Sequence, residues 1–180
     1  MTCDDLFLHQ LEFAPTQRNK DGRPMKWTLL TLAAIIVTQF YIPHSRADEL
    51  SAIRVAAAKG ECVVVHEGRQ EPAIALTASS YDLPDSDKRE VLKLIDEFRA
   101  HGCSIEQPDS EGVSPINVAV LTAEPALLRY LLEAGGDHSA RITGSRPWAN
   151  GKNSIEFAQL LYKVEPTEKR KQVIEILTSN

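Results

Sequence analysis

The sequence predicts an all-α domain built from helical hairpins set in file, and three observations carry that expectation. Leu127, Leu128, Leu131 and Leu132 recur at i, i+1, i+4 and i+5, which places them on one helical face. The segment from Val91 to Gly102, with Leu92, Leu94, Ile95 and Phe98, reads as a second helix of the same kind. Its closing Gly102 lies 33 residues before Gly135, which closes the leucine helix. Such a period marks a row of similar units that bury their apolar faces only on their neighbours.

Size and charge narrow the functional classes. With 180 residues, 43% hydrophobic and 25% charged, the chain suits one domain with a modest core and is too short for a multidomain enzyme. The net charge of -5 and pI near 5.6 argue against a general nucleic-acid binder, which needs a surplus of Lys and Arg on one face. Residues 1–47 hold four acids and five bases, so residues 48–180 keep 21 acids and 15 bases, a net charge of -6. An acidic body suits a basic partner or plain solubility.

The chain divides into 1–24, 25–47 and 48–180. From Trp27 to Pro43 it is almost charge-free for 17 residues, preceded by Lys26, Arg23, Lys20 and Arg18. That is the positive-then-apolar order of a secretory signal. Pro43 breaks the segment, and Ser45 and Ala47 supply small residues before a cleavage site between Ala47 and Asp48. Read from Met25 the signal has an ordinary length, which makes residues 1–24 a leader from a start codon placed too early, or a disordered one. The alternatives are an uncleaved inner-membrane anchor through residues 27–43 and a buried core helix. Signal and anchor both put the body outside the cytosol, with a periplasmic location expected. In an oxidising compartment Cys62 and Cys103 form an even pair that a disulfide could join, and two unpaired, half-buried cysteines are the alternative.

One segment carries a motif: Asp109-Ser110-Glu111-Gly112-Val113-Ser114-Pro115-Ile116-Asn117-Val118-Ala119. Gly112 permits a turn that a β-carbon would strain, Ser114 can cap a helix, and Pro115 suits its first position. The segment resembles the ankyrin-repeat signature D-x-x-G-x-T-P-L-H-x-A, with Ser114 for Thr, Ile116 for Leu and Asn117 for His. The stretch from Ala126 to Asp137 is similar to the second ankyrin helix and its L-L-x-x-G-A-D close, and the 33-residue period is that family's own. The resemblance implies an ankyrin-type helical solenoid of about three to four repeats in residues 48–180.

The neighbouring units are looser. Residues 71–78 are expected to supply the first helix before Val91, with the Tyr81 to Asp87 stretch lengthening the connection. Downstream, Gly151 to Ala158 echoes the repeat opening with Ser154 where Pro is expected, and the 39-residue step from Ala119 to Ala158 implies a six-residue insertion. Val173, Ile174, Ile176 and Leu177 supply a last helix. Leu50 to Ala58 reads as the first helix of an amino-terminal cap, while Cys62 to His66 is β-branched and could be a strand.

The motifs of catalysis are missing from the pattern. His66, His101 and His138 fall at no zinc spacing, and no phosphate-cradling loop or nucleophile elbow occurs. Neither an enzyme activity, a metal nor a cofactor is expected. The basic run Lys169-Arg170-Lys171 reads as a solvated helix face. In the ankyrin family the turns between repeats form fingers that, with the first helices, contact partners. The resemblance therefore points to Arg141, Arg146, Trp148 and Asn150 in the insertion, then to Tyr81 and Asp85, then to Asp109 and Glu111. Trp148 has two open readings, a partner contact or a ring folded back on the adjoining finger, and Asp109 can instead serve local turn hydrogen bonds. The partner expected is another protein. The combination of signal, short array and acidic surface is similar in architecture to periplasmic immunity proteins that neutralise secreted toxins such as lipases and phospholipases. The alternative is an envelope adaptor or chaperone-like partner of a periplasmic enzyme.

Overall fold

The computed structural model describes residues 47–179. The 1–24 leader, the apolar 27–43 stretch and the signal segment up to its last residue lie outside the described residues. Among the described residues no helix is long and apolar enough to cross a membrane.

The order is α1 (Ala47–Lys59), β1 (Val63–His66), β2 (Arg69–Pro72), α2 (Ala73–Ser79), a 3-10 turn (Ser80–Asp82), α3 (Lys88–Ala100), α4 (Pro115–Leu121), α5 (Pro125–Glu133), α6 (Ser154–Val164) and α7 (Glu168–Ser179). The fold is helix-rich, with one two-stranded hairpin added to the all-α expectation. Helices pair as α2 with α3, α4 with α5, and α6 with α7. The first members, α2, α4 and α6, touch in series, and α5 meets α7.

Local chemistry sets the helix starts. Ser114 caps α4, its hydroxyl oxygen accepting the Asn117 N–H at 3.4 Å, and Pro115 opens the first turn. Asn153 caps α6 with a reciprocal box: Glu156 N–H reaches its side chain at 2.9 Å and the Glu156 carboxylate accepts the Asn153 N–H at 3.0 Å. Ser154, standing where Pro was expected, donates its hydroxyl to Asn117 Oδ1 at 2.9 Å, while the Asn117 amide donates to Ser114 at 3.2 Å. All three are buried, so this polar chain ties α4 to α6 without leaving a lone donor in the core.

The apolar stripes meet behind those starts. Ile95, Phe98, Leu127, Leu128 and Leu131 are fully buried, as expected, and Phe157, Val173 and Leu177 join them from the last hairpin. Tyr130 donates its hydroxyl to Asp96, bracing α5 against α3; burial first, and then that carboxylate, push the phenol up to about 12. A bidentate pair, Arg54 to Glu90 at 2.7 and 2.8 Å, fastens α1 to α3.

Three expectations change. Glu71 and Pro72 end β2 and do not open α2, because β1 and β2 pair in register from Val63 with Pro72 to His66 with Arg69. The two-residue loop between them, Glu67 and Gly68, has positive φ at both positions (49° and 76°), the geometry that matches strand twist. Second, α1 packs on both α2 and α3 and not on one partner helix alone. It ends at Gly60, with φ 70°, and leads into the hairpin just as α3 ends at Gly102 (87°) and α5 at Gly135 (96°). Third, Lys169 and Arg170 are not merely solvated. Lys169 pairs with the buried Glu124 at 2.8 Å, and Arg170 reaches the Leu121 carbonyl at 3.3 Å at the end of α4 while pairing with Glu165 at 3.0 Å.

Candidate protein-binding face

The three connections that lead into first helices form one row of fingers: the β1–β2 hairpin, residues 101–114, and residues 134–153. Finger one is joined to finger two at its base by the Cys62–Cys103 disulfide, with Cα atoms 5.2 Å apart. This is the pairing that two half-buried free cysteines would have contradicted. Higher up, the buried Glu71 carboxylate accepts the Ser110 N–H at 2.8 Å and the Ser110 hydroxyl as well. Finger two is built on Asp109. Its Oδ1 accepts both the Glu111 N–H (2.9 Å) and the Val113 N–H (2.8 Å), and Gly112 turns the chain at φ 75°. Burial pushes the Asp109 carboxyl above its ordinary value, aided by the nearby Glu71 and Glu111 charges and opposed by the two backbone donors.

Finger three closes on itself. Ile142 N–H donates to the Lys152 carbonyl at 3.0 Å and Gly151 N–H to the Ile142 carbonyl at 2.8 Å, so the insertion is a pinched loop over a buried Ile142 and Ala149. It leans on finger two through Thr143 N–H to the Gly112 carbonyl at 3.3 Å, and there is no room for a side chain at Gly144, whose added Cβ would stand 1.9 Å from the Glu111 carbonyl oxygen.

The row presents a charged ridge. Glu111 lies between Arg69 of finger one at 3.6 Å and Arg146 of finger three at 3.7 Å, each carboxylate oxygen facing a different guanidinium. Below it a groove of about 190 Å³ opens between the fingers and α2, lined by His66, Arg69, Glu71, Leu76, Asp109 and Glu111 among others.

The expected contact residues divide accordingly. Arg146 and Glu111 come together on the ridge. Trp148 folds onto neither finger but stacks on Phe157 of α6, centroids 5.9 Å apart at 28°, and remains 45% exposed. Asn150 is exposed, and its N–H donates to the Arg146 carbonyl at 2.9 Å. Asp109 serves its turn. Arg141 braces the base of finger three with one guanidinium nitrogen, donating to the Gly151 carbonyl and pairing with Glu156 at 3.2 Å, and its side chain stays mostly exposed. Tyr81 is corrected: at 4% exposure it is core, with the Lys88 ammonium 4.6 Å above its ring. Asp85 is exposed, but its loop joins α2 to α3 at the end of the hairpin opposite the fingers. Ala47 and Asp48 are the first residues of α1.

Arg69, Glu71 and Ser110 were missed, although the Glu67-Gly68 turn between two short runs carries the hairpin signal that places Arg69 at a tip. Among the described residues no group of three or more His, Cys, Asp and Glu side chains is placed to hold a metal ion. No protein-family model matches the chain, and no curated protein is recognisably similar to it in sequence.

Proposed function

We propose that residues 48–180 form an ankyrin-type helical solenoid which, after export by the 25–47 segment, binds another protein through its finger row. In this reading it is an immunity protein: the ridge and the groove beneath it cover the active-site mouth of a secreted toxin, such as a lipase or phospholipase, in the periplasm. The observation that carries the binding role is the cross-bracing of three successive fingers. A surface held by a disulfide, a buried carboxylate and backbone hydrogen bonds is ordered before a partner arrives, so association loses less conformational entropy. Support for the repeat type comes from the capping serine, the proline after it and the glycine-closed second helices. The toxin-neutralising role rests on likeness of architecture alone.

The test uses the tagged full-length chain in cells that export it. Recovery of a periplasmic form together with one co-purifying envelope or secreted protein, and rescue from that protein's toxicity only when export is intact, are the expected results. A form confined to the cytosol removes the location. A co-purifying enzyme that harms no cell, and that depends on this chain for its yield, replaces immunity with an adaptor role.

A further inference from the structure

We propose that the third finger docks an acidic protein surface, and that Arg146 and Arg69 receive a partner carboxylate in place of Glu111. This deepens the binding reading above and rests on it. Residues 138–153 carry Arg141, Arg146 and Lys152 with no Asp or Glu, on a body whose net charge is -6. The outer part of finger three, beyond Asp137, is therefore a cationic protrusion on an acidic molecule, and a partner with an acidic patch is drawn to that point and turned away elsewhere.

Arg89 and Arg129 are exposed on α3 and α5, but among the described residues Arg69 and Arg146 are the guanidinium groups that face one shared carboxylate and are not held by hydrogen bonds. Arg54, Arg99, Arg141 and Arg170 each donate hydrogen bonds to protein acceptors. Arg69 and Arg146 meet carboxylates only at 3.6 to 3.8 Å, Glu111 for both and Glu67 for Arg69, beyond the roughly 2.7–3.2 Å of an N–H···O bond. Both side chains are about half exposed, at 54% and 52%. Each fork keeps five donors in a planar array that fits a carboxylate through two parallel bonds. Glu111 cannot supply those bonds to both forks at once, because its single carboxylate has two oxygens and each faces a different guanidinium. It acts as a weak internal stand-in that an incoming carboxylate displaces.

A basic partner fits less well. Glu111 is flanked by guanidinium on both sides, so a foreign cation would have to expel one of them and then face Arg141, Arg146 and Lys152. A protein is favoured over a membrane or a nucleic acid because Trp148 offers a half-exposed ring beside Arg146, and because the acidic body opposes an extended anionic surface.

The experiment is an NMR titration of the exported protein, at its own amino terminus, with the peptide acetyl-GEDEDG-amide, its isostere acetyl-GQNQNG-amide and phosphatidylglycerol vesicles. The acidic peptide is expected to shift the Arg69 and Arg146 Nε–H signals, and the isostere is not. Arg146→Gln should weaken binding about five-fold, and Glu111→Gln should tighten it about three-fold by removing the competitor. The opposed directions separate the proposal from loss of fold, which would weaken both. Glu111→Gln without tightening, equal binding of the isostere, or shifts from vesicles alone would overturn it. Unchanged capture of the envelope partner by the Arg69→Gln, Arg146→Gln chain would remove this inference and leave the binding role standing.

Discussion

At the scale of single residues, two carboxylates with opposite surroundings show how position decides chemistry. Glu124 is 4% exposed at the start of α5, with Lys88 and Lys169 each 2.8 Å away. Burial acts to raise its carboxyl, yet the two ammonium hydrogen bonds outweigh it and hold the group below the ordinary 4.5. Its contribution is therefore complete above about pH 4.5 and is lost as pH falls through the lower folded value. Glu124→Gln should cost about 1–3 kcal/mol at pH 7, less than a fully buried pair because both ammonium groups reach water, and should flatten the acid limb of stability measured by urea unfolding. Asp109 runs the other way. Its raised carboxyl makes the ionised form a burden on the fold, while only Oδ1 is used as an acceptor. Asp109→Asn should therefore equal or exceed the parent in thermal midpoint at neutral pH, and Asp109→Ala should lose about 1–3 kcal/mol by orphaning two N–H groups. Equal losses in both would show that the charge itself is needed.

At the scale of elements, the fingers are stabilised by their connections to one another. The Cys62–Cys103 bridge spans 41 positions, and closing a loop of that length removes about 3–4 kcal/mol of unfolded-state freedom. The Cys62→Ser, Cys103→Ser chain should unfold at correspondingly lower denaturant, and a reducing agent should lower the parent to meet it and leave the variant unmoved. Gly144 is the tightest approach between fingers two and three, against backbone that cannot swing aside. Gly144→Ala should cost about 1–3 kcal/mol and raise amide exchange at Thr143, with the helices α2 to α5 unaffected. Uniform acceleration throughout the chain would mean that the finger contact is part of the global unfolding unit.

At the scale of the whole molecule, each hairpin lends its neighbour a wall. Helix α7 covers α5 and α6 with Val173, Ile176 and Leu177, and it also brings Lys169 to Glu124 and Arg170 to the end of α4. Full burial of three such side chains is worth roughly 5–8 kcal/mol as an upper figure, comparable to the entire stability of a small domain. A stop after Glu165 should therefore yield a chain that binds a hydrophobic dye and unfolds without a cooperative transition. A sharp melt in the truncated chain would place the stability elsewhere.

What the amino-acid sequence determined alone is the local and periodic part: the stripes of α3 and α5, the cap at Ser114, the closing glycines, and the even cysteine pair. Those features depend on neighbours within a few residues, where geometry follows from residue type. Tertiary structure alone decided which side chains remain available. Tyr81 looked like a contact residue until packing claimed it, and Lys169 looked solvated until Glu124 met it from 45 positions away. Arg69, Glu111 and Arg146 form one ridge because three separated turns converge there. Convergence over such distances is set by how the helices pack, and spacing along the chain carries no record of it.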